Sequence, residues 1–193
     1  MQIITIKAIL VGCLSIISAV SSGQDSNQHD TQQARLLSKR LASDLSAELT
    51  SAMTAHGPTG GIEACSIKAP QIAGEIAAES GWLIGRTSLK VRNPNNSPDE
   101  WEQAVLNQFE LRHAGKENVN NLEYSERVTV GDKTIFRYMK AIPTKGLCLA
   151  CHGSNLNDEV ANKVNSLYPN DRATGFNLDD IRGAFTLTKI SQN

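Results

Sequence analysis

Three residues of one short segment have the types and the spacing for covalent cofactor chemistry. Cys148, Cys151 and the adjoining His152 form the pattern C-x-x-C-H, the attachment signature of c-type haem. Two thiols three positions apart can each form a thioether with a haem vinyl group, and the adjoining imidazole can then bind the iron. A thioredoxin-like redox pair would instead need a strand-to-helix setting, and a zinc site would need a second pair of ligands. The motif therefore predicts one covalently bound haem c with His152 as its proximal ligand.

A sixth ligand to the iron has several candidates by chemistry. Cys65 is one, because an unpaired thiol in an oxidising compartment needs a partner, a ligand role or burial. Met139 is a rival, since it lies on the segment leading to the motif, although methionines in apolar patterns usually pack in a core. The other candidates have simpler roles at the surface or in the core: His29, His56, His113 and Met53. From the residues alone the distal ligand stays open.

The N-terminal segment has the plan of a secretory signal peptide. Lys7 is followed by thirteen apolar residues, 8–20, and then by small residues at 21–23. Thirteen is short of the ~20 residues that span a bilayer, so we expect a signal peptide over residues 1–21, cleaved at 21–23, rather than a membrane anchor. Cys13 lies in a stretch that resembles a lipoprotein box, but Lys7 is too close to it. We therefore expect a periplasmic protein, which agrees with the haem motif because bacteria attach haem c outside the cytoplasm.

Composition limits the class of protein further. The chain has 193 residues and a formal net charge of −1, so it shows no basic footprint for nucleic acid. Charged residues make up 20% and hydrophobic residues 40%, which excludes a disordered chain and a protein with many membrane spans. Aromatic residues make up only 5%, a small supply of large core side chains that a covalent macrocycle could supplement.

The first half of the chain is predicted to be helical. Apolar residues at three-to-four spacing predict one long helix over 30–55, ended by Gly57-Pro58 and the glycines that follow. A further helix is predicted up to residue 80, interrupted at Pro70. The apolar stripe of the long helix could pack on the domain or on a second copy of the chain, so a homodimer through this helix is possible.

The second half predicts an antiparallel sheet. Helices are expected over 97–112, with Ser97 and Glu100 as a capping box, and over 157–167. A turn at Gly131-Asp132 predicts a hairpin. The predicted strands are the segments 82–85, 87–92, 124–130, 133–142 and 183–190. This order of elements predicts an α+β fold rather than a helical cytochrome bundle.

Five segments carry a resemblance to a known family. They are Gly60–Pro70, Gly85–Pro94, Cys148–His152, Tyr168–Phe176 and Ile181–Phe185. With these motifs in order, the chain resembles the Tll-type c-haem domain family over nearly all of residues 30–190. The resemblance implies a PAS-like antiparallel sheet with flanking helices and a long N-terminal helix. It also implies a covalent haem whose iron is held by His152 on the proximal side and by Cys65 on the distal side.

The resemblance and the signal peptide together predict the domain organisation. After the signal peptide, residues 24–56 would form a polar tail and the long N-terminal helix, and residues 57–193 the PAS-like c-type haem domain. Three arginines are candidates for binding the haem propionates, although such residues often pair with surface carboxylates instead: Arg86, Arg172 and Arg182.

Ligation by His and Cys predicts the class of function. A thiolate donates charge to iron and favours the ferric state, so a low reduction potential is expected. Loss of the thiolate on reduction would open a site for CO or NO, which suits a redox- or small-ligand-responsive haem sensor. A low-potential periplasmic electron carrier is the alternative. Either role needs a separate redox or signalling partner, and neither nucleic acid binding nor stable membrane insertion is expected. An enzyme such as a peroxidase is not expected, because no acid/base pair is visible.

Overall fold

The computed structural model describes residues 21–192, so the predicted signal peptide lies outside it except for its last residue. Within this range four α-helices and four β-strands follow one another. They are α1 (Ser21–Ser80), β1 (Leu83–Thr87), α2 (Glu100–Ala114), β2 (Glu123–Val130), β3 (Lys133–Pro143), α3 (Leu149–His152), α4 (Asp158–Leu167) and β4 (Ile181–Gln192). The predicted α+β class, with an antiparallel sheet, flanking helices and a long N-terminal helix, is confirmed. None of the helices in the described range is long and apolar enough to cross a membrane.

Helix α1 consists of two limbs, 21–56 and 58–80, that fold back on each other. The bend is at Gly57, whose φ of 68° and ψ of −170° lie outside the helical region and suit glycine. Across the limbs, the Arg40 side chain donates to Glu79 at 2.6 Å. The break at Gly57 was predicted, but the interruption at Pro70 was wrong, since the helix continues through it. Pro70 itself is exposed while the adjoining Ala69 is buried, and the proline removes one backbone hydrogen bond within the helix.

The sheet has the strand order β1-β4-β3-β2 and is antiparallel throughout. Strands β2 and β3 form the predicted hairpin, whose turn contains Gly131 with a φ of 64°. The segments 82–85 and 87–92 were predicted as two extended pieces, but they contribute one strand, β1. The chain leaves the sheet after β1 because the Ser88 hydroxyl donates to the Arg182 carbonyl at 2.8 Å and accepts the Lys90 N–H at 3.2 Å.

Each face of the sheet carries its own hydrophobic core. Side chains alternate along β3, so Tyr138 faces α1 while Met139 faces α2. The core under α2 contains Val105, Leu106, Phe109, Met139 and Ala184. The core under α1 contains Leu41, Ile76, Trp82, Phe136, Tyr138 and Leu187. The C-x-x-C-H segment follows β3 and lies on the α1 side.

Helix α2 begins later than its sequence predicted. Asp99 rather than Ser97 is the N-cap: its carboxylate accepts the Glu102 N–H at 2.8 Å, and Glu102 accepts the Asp99 N–H at 3.1 Å. The Ser97 hydroxyl donates instead to the Pro94 carbonyl at 2.7 Å, which closes the preceding 3-10 turn. Both serine and aspartate suit an N-cap, so the sequence pattern alone allowed either start.

Candidate functional site

The C-x-x-C-H segment forms a tight turn directly after β3. A 3-10 turn, Gly146–Cys148, leads into the one-turn helix α3, and the Cys148 N–H donates to the Lys145 carbonyl at 2.9 Å. Residues three apart in such a turn lie on one side of it, so the thiols of Cys148 and Cys151 share a side. Both are free and half-buried, as is Cys65.

His152 is held in one orientation by the segment after α4. Its Nδ1 lies 2.6 Å from the Ala173 carbonyl oxygen. A carbonyl can only accept, so Nδ1 carries the proton and Nε2 keeps a free lone pair, the arrangement that histidine ligands of metals use. The ring of Phe176 packs edge-on against the imidazole, with ring centroids 6.2 Å apart. Burial, followed by the positive charges of Arg182 and Arg92, lowers the pKa of His152 to about 2, so the imidazole is neutral at ordinary pH.

A buried ion pair connects the histidine support to the motif. The guanidinium of Arg92 donates to both carboxylate oxygens of Asp171, at 3.1 and 3.0 Å, and to the Cys151 carbonyl at 2.7 Å. Asp171 in turn accepts the Ala173 N–H at 2.9 Å. Neither Arg92 nor Asp171 has a motif or spacing that predicts a role from the sequence. Their one sequence signal was that each lies in a segment that carries the family resemblance.

A cavity of about 200 Å³, the inner cavity, brings the predicted site residues together. Residues from α1, β1, β4 and the motif line it. The predicted ones among them are Cys65, Arg86, Cys148, Cys151, His152 and Arg182. Arg172 is exposed and lines neither this cavity nor the groove beside it. The structure thus assembles the two predicted axial ligands, both thioether cysteines and two of the three arginines.

A larger cavity of about 670 Å³, the outer groove, lies beside the inner cavity between α1 and the end of β3. The two share six lining residues: Leu49, Cys65, Arg86, Ile142, Leu147 and Cys148. Pockets for organic ligands usually measure roughly 300–1,000 Å³, so the inner cavity alone is small for a macrocycle. A porphyrin attached at Cys148 and Cys151 would therefore extend into the outer groove.

The charges around the inner cavity fit an anionic ligand. Within residues 21–192, Arg86 has no hydrogen-bond or ion-pair partner. Arg182 donates only to neutral groups, among them the Ser88 hydroxyl at 3.1 Å, and burial and neighbouring arginines lower its pKa to about 10. The hydroxyl of Thr87 is buried without a partner in the same wall. Two uncompensated cations and a free hydroxyl match the two carboxylates of a haem.

Cys65 lies half-buried in the wall of the inner cavity. Its thiol has no hydrogen-bond partner among the described residues. Burial raises the pKa of the Cys65 thiol, and the charge of Arg86 opposes this shift more than any other group does. A metal ion strongly favours the thiolate form of a cysteine that coordinates it. No group of three or more His, Cys, Asp or Glu side chains in residues 21–192 is placed to hold a bare metal ion.

Most of the other candidates for the distal ligand do not line the inner cavity. Met139 is fully buried in the core under α2, on the opposite face of the sheet. His29 and His56 are exposed, and His113 donates from Nδ1 to the Glu117 carbonyl at 3.3 Å. Met53 lines the inner cavity, although its sequence pattern indicated packing only. The structure therefore places two possible distal ligands at the cavity, Cys65 and Met53.

Comparisons with known proteins agree with this fold. Curated proteins give no match to the chain. The crystal structure of the cyanobacterial heme-protein Tll0287 superposes with a TM-score of 0.61 at 24% sequence identity, over 84% of this chain and 98% of that chain. The two proteins thus share a fold. The sequence profile of the Tll0287-like family matches residues 15–189, which confirms the resemblance that the motifs indicated. The chain belongs to the Tll0287-like family.

Proposed function

We propose that the chain is an exported monohaem c-type protein whose iron is ligated by His152 and Cys65 and which responds to redox state or to a small ligand. The observation that carries this proposal is the hydrogen bond from His152 Nδ1 to Ala173. It leaves Nε2 free next to two half-buried thiols, in a cavity that Cys65 also lines. Membership of the Tll0287-like family and the fold shared with a heme-protein support the assignment.

Each residue has a distinct role in this proposal. Cys148 and Cys151 hold the haem covalently, and His152 and Cys65 bind its iron from opposite sides. The haem supplies a one-electron couple and a position where small molecules can bind. Arg86 and Arg182 bind the two propionates, since neither charge has an anionic hydrogen-bond or ion-pair partner among residues 21–192. Arg172 is exposed and lines neither cavity, so we leave it out of the propionate site.

The sensing role rests on the distal side. Cys65 lines both the inner cavity and the outer groove, so a small molecule in the groove has access to the distal face. No hydrogen bond within the described chain holds its sulfur in place. With Cys65 in the sixth position a peroxidase role is not proposed.

The alternative is a low-potential periplasmic electron carrier, which one feature favours. Lys145, Gly146 and Leu147 are exposed directly before Cys148, so a redox partner could approach the thioether edge. Potentiometry in the presence of CO separates the two roles. A sensor should bind CO once reduced. A carrier should keep both axial ligands in both oxidation states and exchange electrons rapidly.

The ligand assignment is tested by the visible and EPR spectra of the ferric protein. Cys65→Ala should abolish the low-spin thiolate spectrum, whereas the matched variant Met53→Leu should leave it unchanged. The reverse result would assign Met53 as the ligand, and an unchanged spectrum in Cys65→Ala would contradict the proposal. Covalent attachment is tested by whether the haem stays with the chain under denaturing conditions and is lost when Cys148 and Cys151 are both changed to Ala.

Export and assembly can be tested separately. N-terminal sequencing of the protein from a periplasmic fraction should show cleavage at 21–23. A homodimer through α1 would use its exposed side, because Ala34 and Leu41 of this helix are already buried while Leu36 is 64% exposed. Sedimentation analysis of Leu36→Glu should then show monomers where the wild type shows dimers.

A further inference from the structure

The outer groove extends along α1 well beyond the residues that it shares with the inner cavity. Its lining residues on α1 run from Arg35 to Leu49, which at ~1.5 Å per residue is roughly 21 Å of helix. Leu49 is at the end shared with the inner cavity, together with Cys65 and Cys148. Arg35 lies at the other end of this stretch of helix, away from the residues that the groove shares with the inner cavity.

The Arg35 end combines an apolar wall with a buried hydroxyl that has no partner. Ala42, Leu45 and Phe185 pack in one cluster and line the groove. Ser38 lies one helical turn before Ala42 and is only 3% exposed, and its hydroxyl oxygen has no hydrogen-bond partner within the described residues. A buried hydroxyl without a partner is unfavourable unless a bound molecule satisfies it.

The same end carries uncompensated positive charge. Glu123 is neutralised by Arg35 and accepts a further hydrogen bond from the Tyr138 hydroxyl at 2.7 Å. Lys39 is exposed and has no hydrogen-bond or ion-pair partner in residues 21–192, and Lys140 donates to the neutral Asn120 carbonyl. The other acidic residue of the groove, Glu48, lies roughly 13 Å along the helix from Lys39. Two lysine charges at this end are therefore available to an anion.

We propose that the Arg35 end of the outer groove is a second binding site, for a small amphipathic carboxylate. Lys39, Lys140 and the Ser38 hydroxyl receive the carboxylate, and Ala42 and Leu45 contact the apolar chain, which points toward Cys65. Arg86, assigned to a haem propionate, lines the same groove and pairs in the sheet with Phe185, which pairs in turn with Lys140, so the two sites are neighbours within one groove. A bound molecule would lie along the outer groove, which Cys65 also lines.

Decanoate, titrated calorimetrically into the haem-loaded full chain, tests the site. We expect saturable one-to-one binding, and at least tenfold weaker binding of decyltrimethylammonium, which has the same chain length and the opposite charge. Lys39→Glu should weaken decanoate binding at least tenfold. The matched variant Lys133→Glu, which changes an exposed lysine on the β2–β3 hairpin, should leave it unchanged.

Several outcomes would overturn the proposal. They are the absence of saturable binding, equal affinity for the cationic and anionic chains, and equal effects of Lys39→Glu and Lys133→Glu. Ala42→Trp adds a second test, because it should block the groove; its thermal midpoint shows whether the variant folds. Haem content, measured on the same samples, separates this inference from the proposed function: a chain that binds decanoate without acquiring haem would contradict the function alone.

Discussion

The two sides of the candidate haem site are built differently. On the proximal side, His152 Nδ1 donates to the Ala173 carbonyl, and the Ala173 N–H donates to the Asp171 carboxylate. That carboxylate pairs with the Arg92 guanidinium, which also donates to the Cys151 carbonyl. On the distal side, Cys65 has no hydrogen-bond partner among the described residues and opens onto a groove. A ligand supported by a closed network keeps its position, whereas a ligand supported only by packing can leave. Under the proposed ligation, we expect a permanent bond from His152 to the iron and an exchangeable bond from Cys65.

The largest expected effect comes from breaking the proximal network with Arg92→Ala. The side chains of Arg92 and Asp171 are only 10% and 9% exposed, so the substitution leaves a buried carboxylate without its ionic partner. We expect the free energy of unfolding to fall by about 3–5 kcal/mol, measured by urea denaturation.

Arg40→Ala is the matched control for this measurement. Arg40→Ala likewise removes the guanidinium that pairs with a carboxylate, here that of Glu79. This pair is at the surface, so its loss should have a far smaller effect on the free energy of unfolding. Equal losses in the two variants would mean that the Arg92–Asp171 pair does not stabilise the proximal side.

The second-largest expected effect is a loss of folding stability at acid pH, which also comes from the proximal side. In the haem-free folded chain, burial lowers the pKa of His152 to about 2, against ~6.5 in an unfolded chain, so between these values only the unfolded state binds the proton. Stability therefore falls as pH is lowered from 6.5, at about 1.4 kcal/mol per pH unit, or about 2–3 kcal/mol by pH 4.5. The pKa values of Asp30 and Glu123 are also lowered by ion pairs and hydrogen bonds, but their contribution is lost only at lower pH, near and below the ordinary carboxyl range.

Urea denaturation of the haem-free protein at several pH values measures this slope, and haem-free His152→Gln is its control. The variant cannot take up the proton and should have a flat profile between pH 6.5 and 4.5. The same slope in both proteins would show that another group titrates there.

The distal side is tested by the kinetics of CO binding to the reduced protein. If Cys65 must leave first, the observed rate in the wild type should level off as the CO concentration rises. In Cys65→Ala the rate should stay proportional to concentration and exceed the wild-type rate at least tenfold, which is about 1.4 kcal/mol in the barrier. Identical kinetics in the two proteins would mean that Cys65 does not control access.

The smallest effect is expected for substitution of Arg172. The sequence predicts it as a candidate for binding a haem propionate, together with Arg86 and Arg182 of the inner cavity. It is exposed, so Arg172→Ala should change the free energy of unfolding by no more than about 0.5 kcal/mol and leave the visible spectrum unchanged. A spectral change would place Arg172 at the haem after all.

Locally encoded features could be predicted well from the sequence. The hairpin at Gly131 and the helix capped by Asn157 depend on residues a few positions apart, and both form as expected. Errors arose where a distant contact outweighs a local preference. Strand β1 ends where the Ser88 hydroxyl donates to the carbonyl of the distant Arg182. Helix α1 also continues through Pro70, against the local preference of proline.

By itself, the sequence determined the chemical groups of the site, because two thiols and an imidazole at fixed spacing need only a tight turn to act together. It also determined the α+β class through the periodicity of its segments. Only the tertiary structure decided which distant residues serve those groups. It brought Cys65 and Met53 to the cavity, separated Met139 from it by the sheet, and left Arg172 outside. It also paired Arg92 with Asp171, residues 79 positions apart. Such partners depend on how the helices pack on the sheet, and no spacing along the chain encodes that packing.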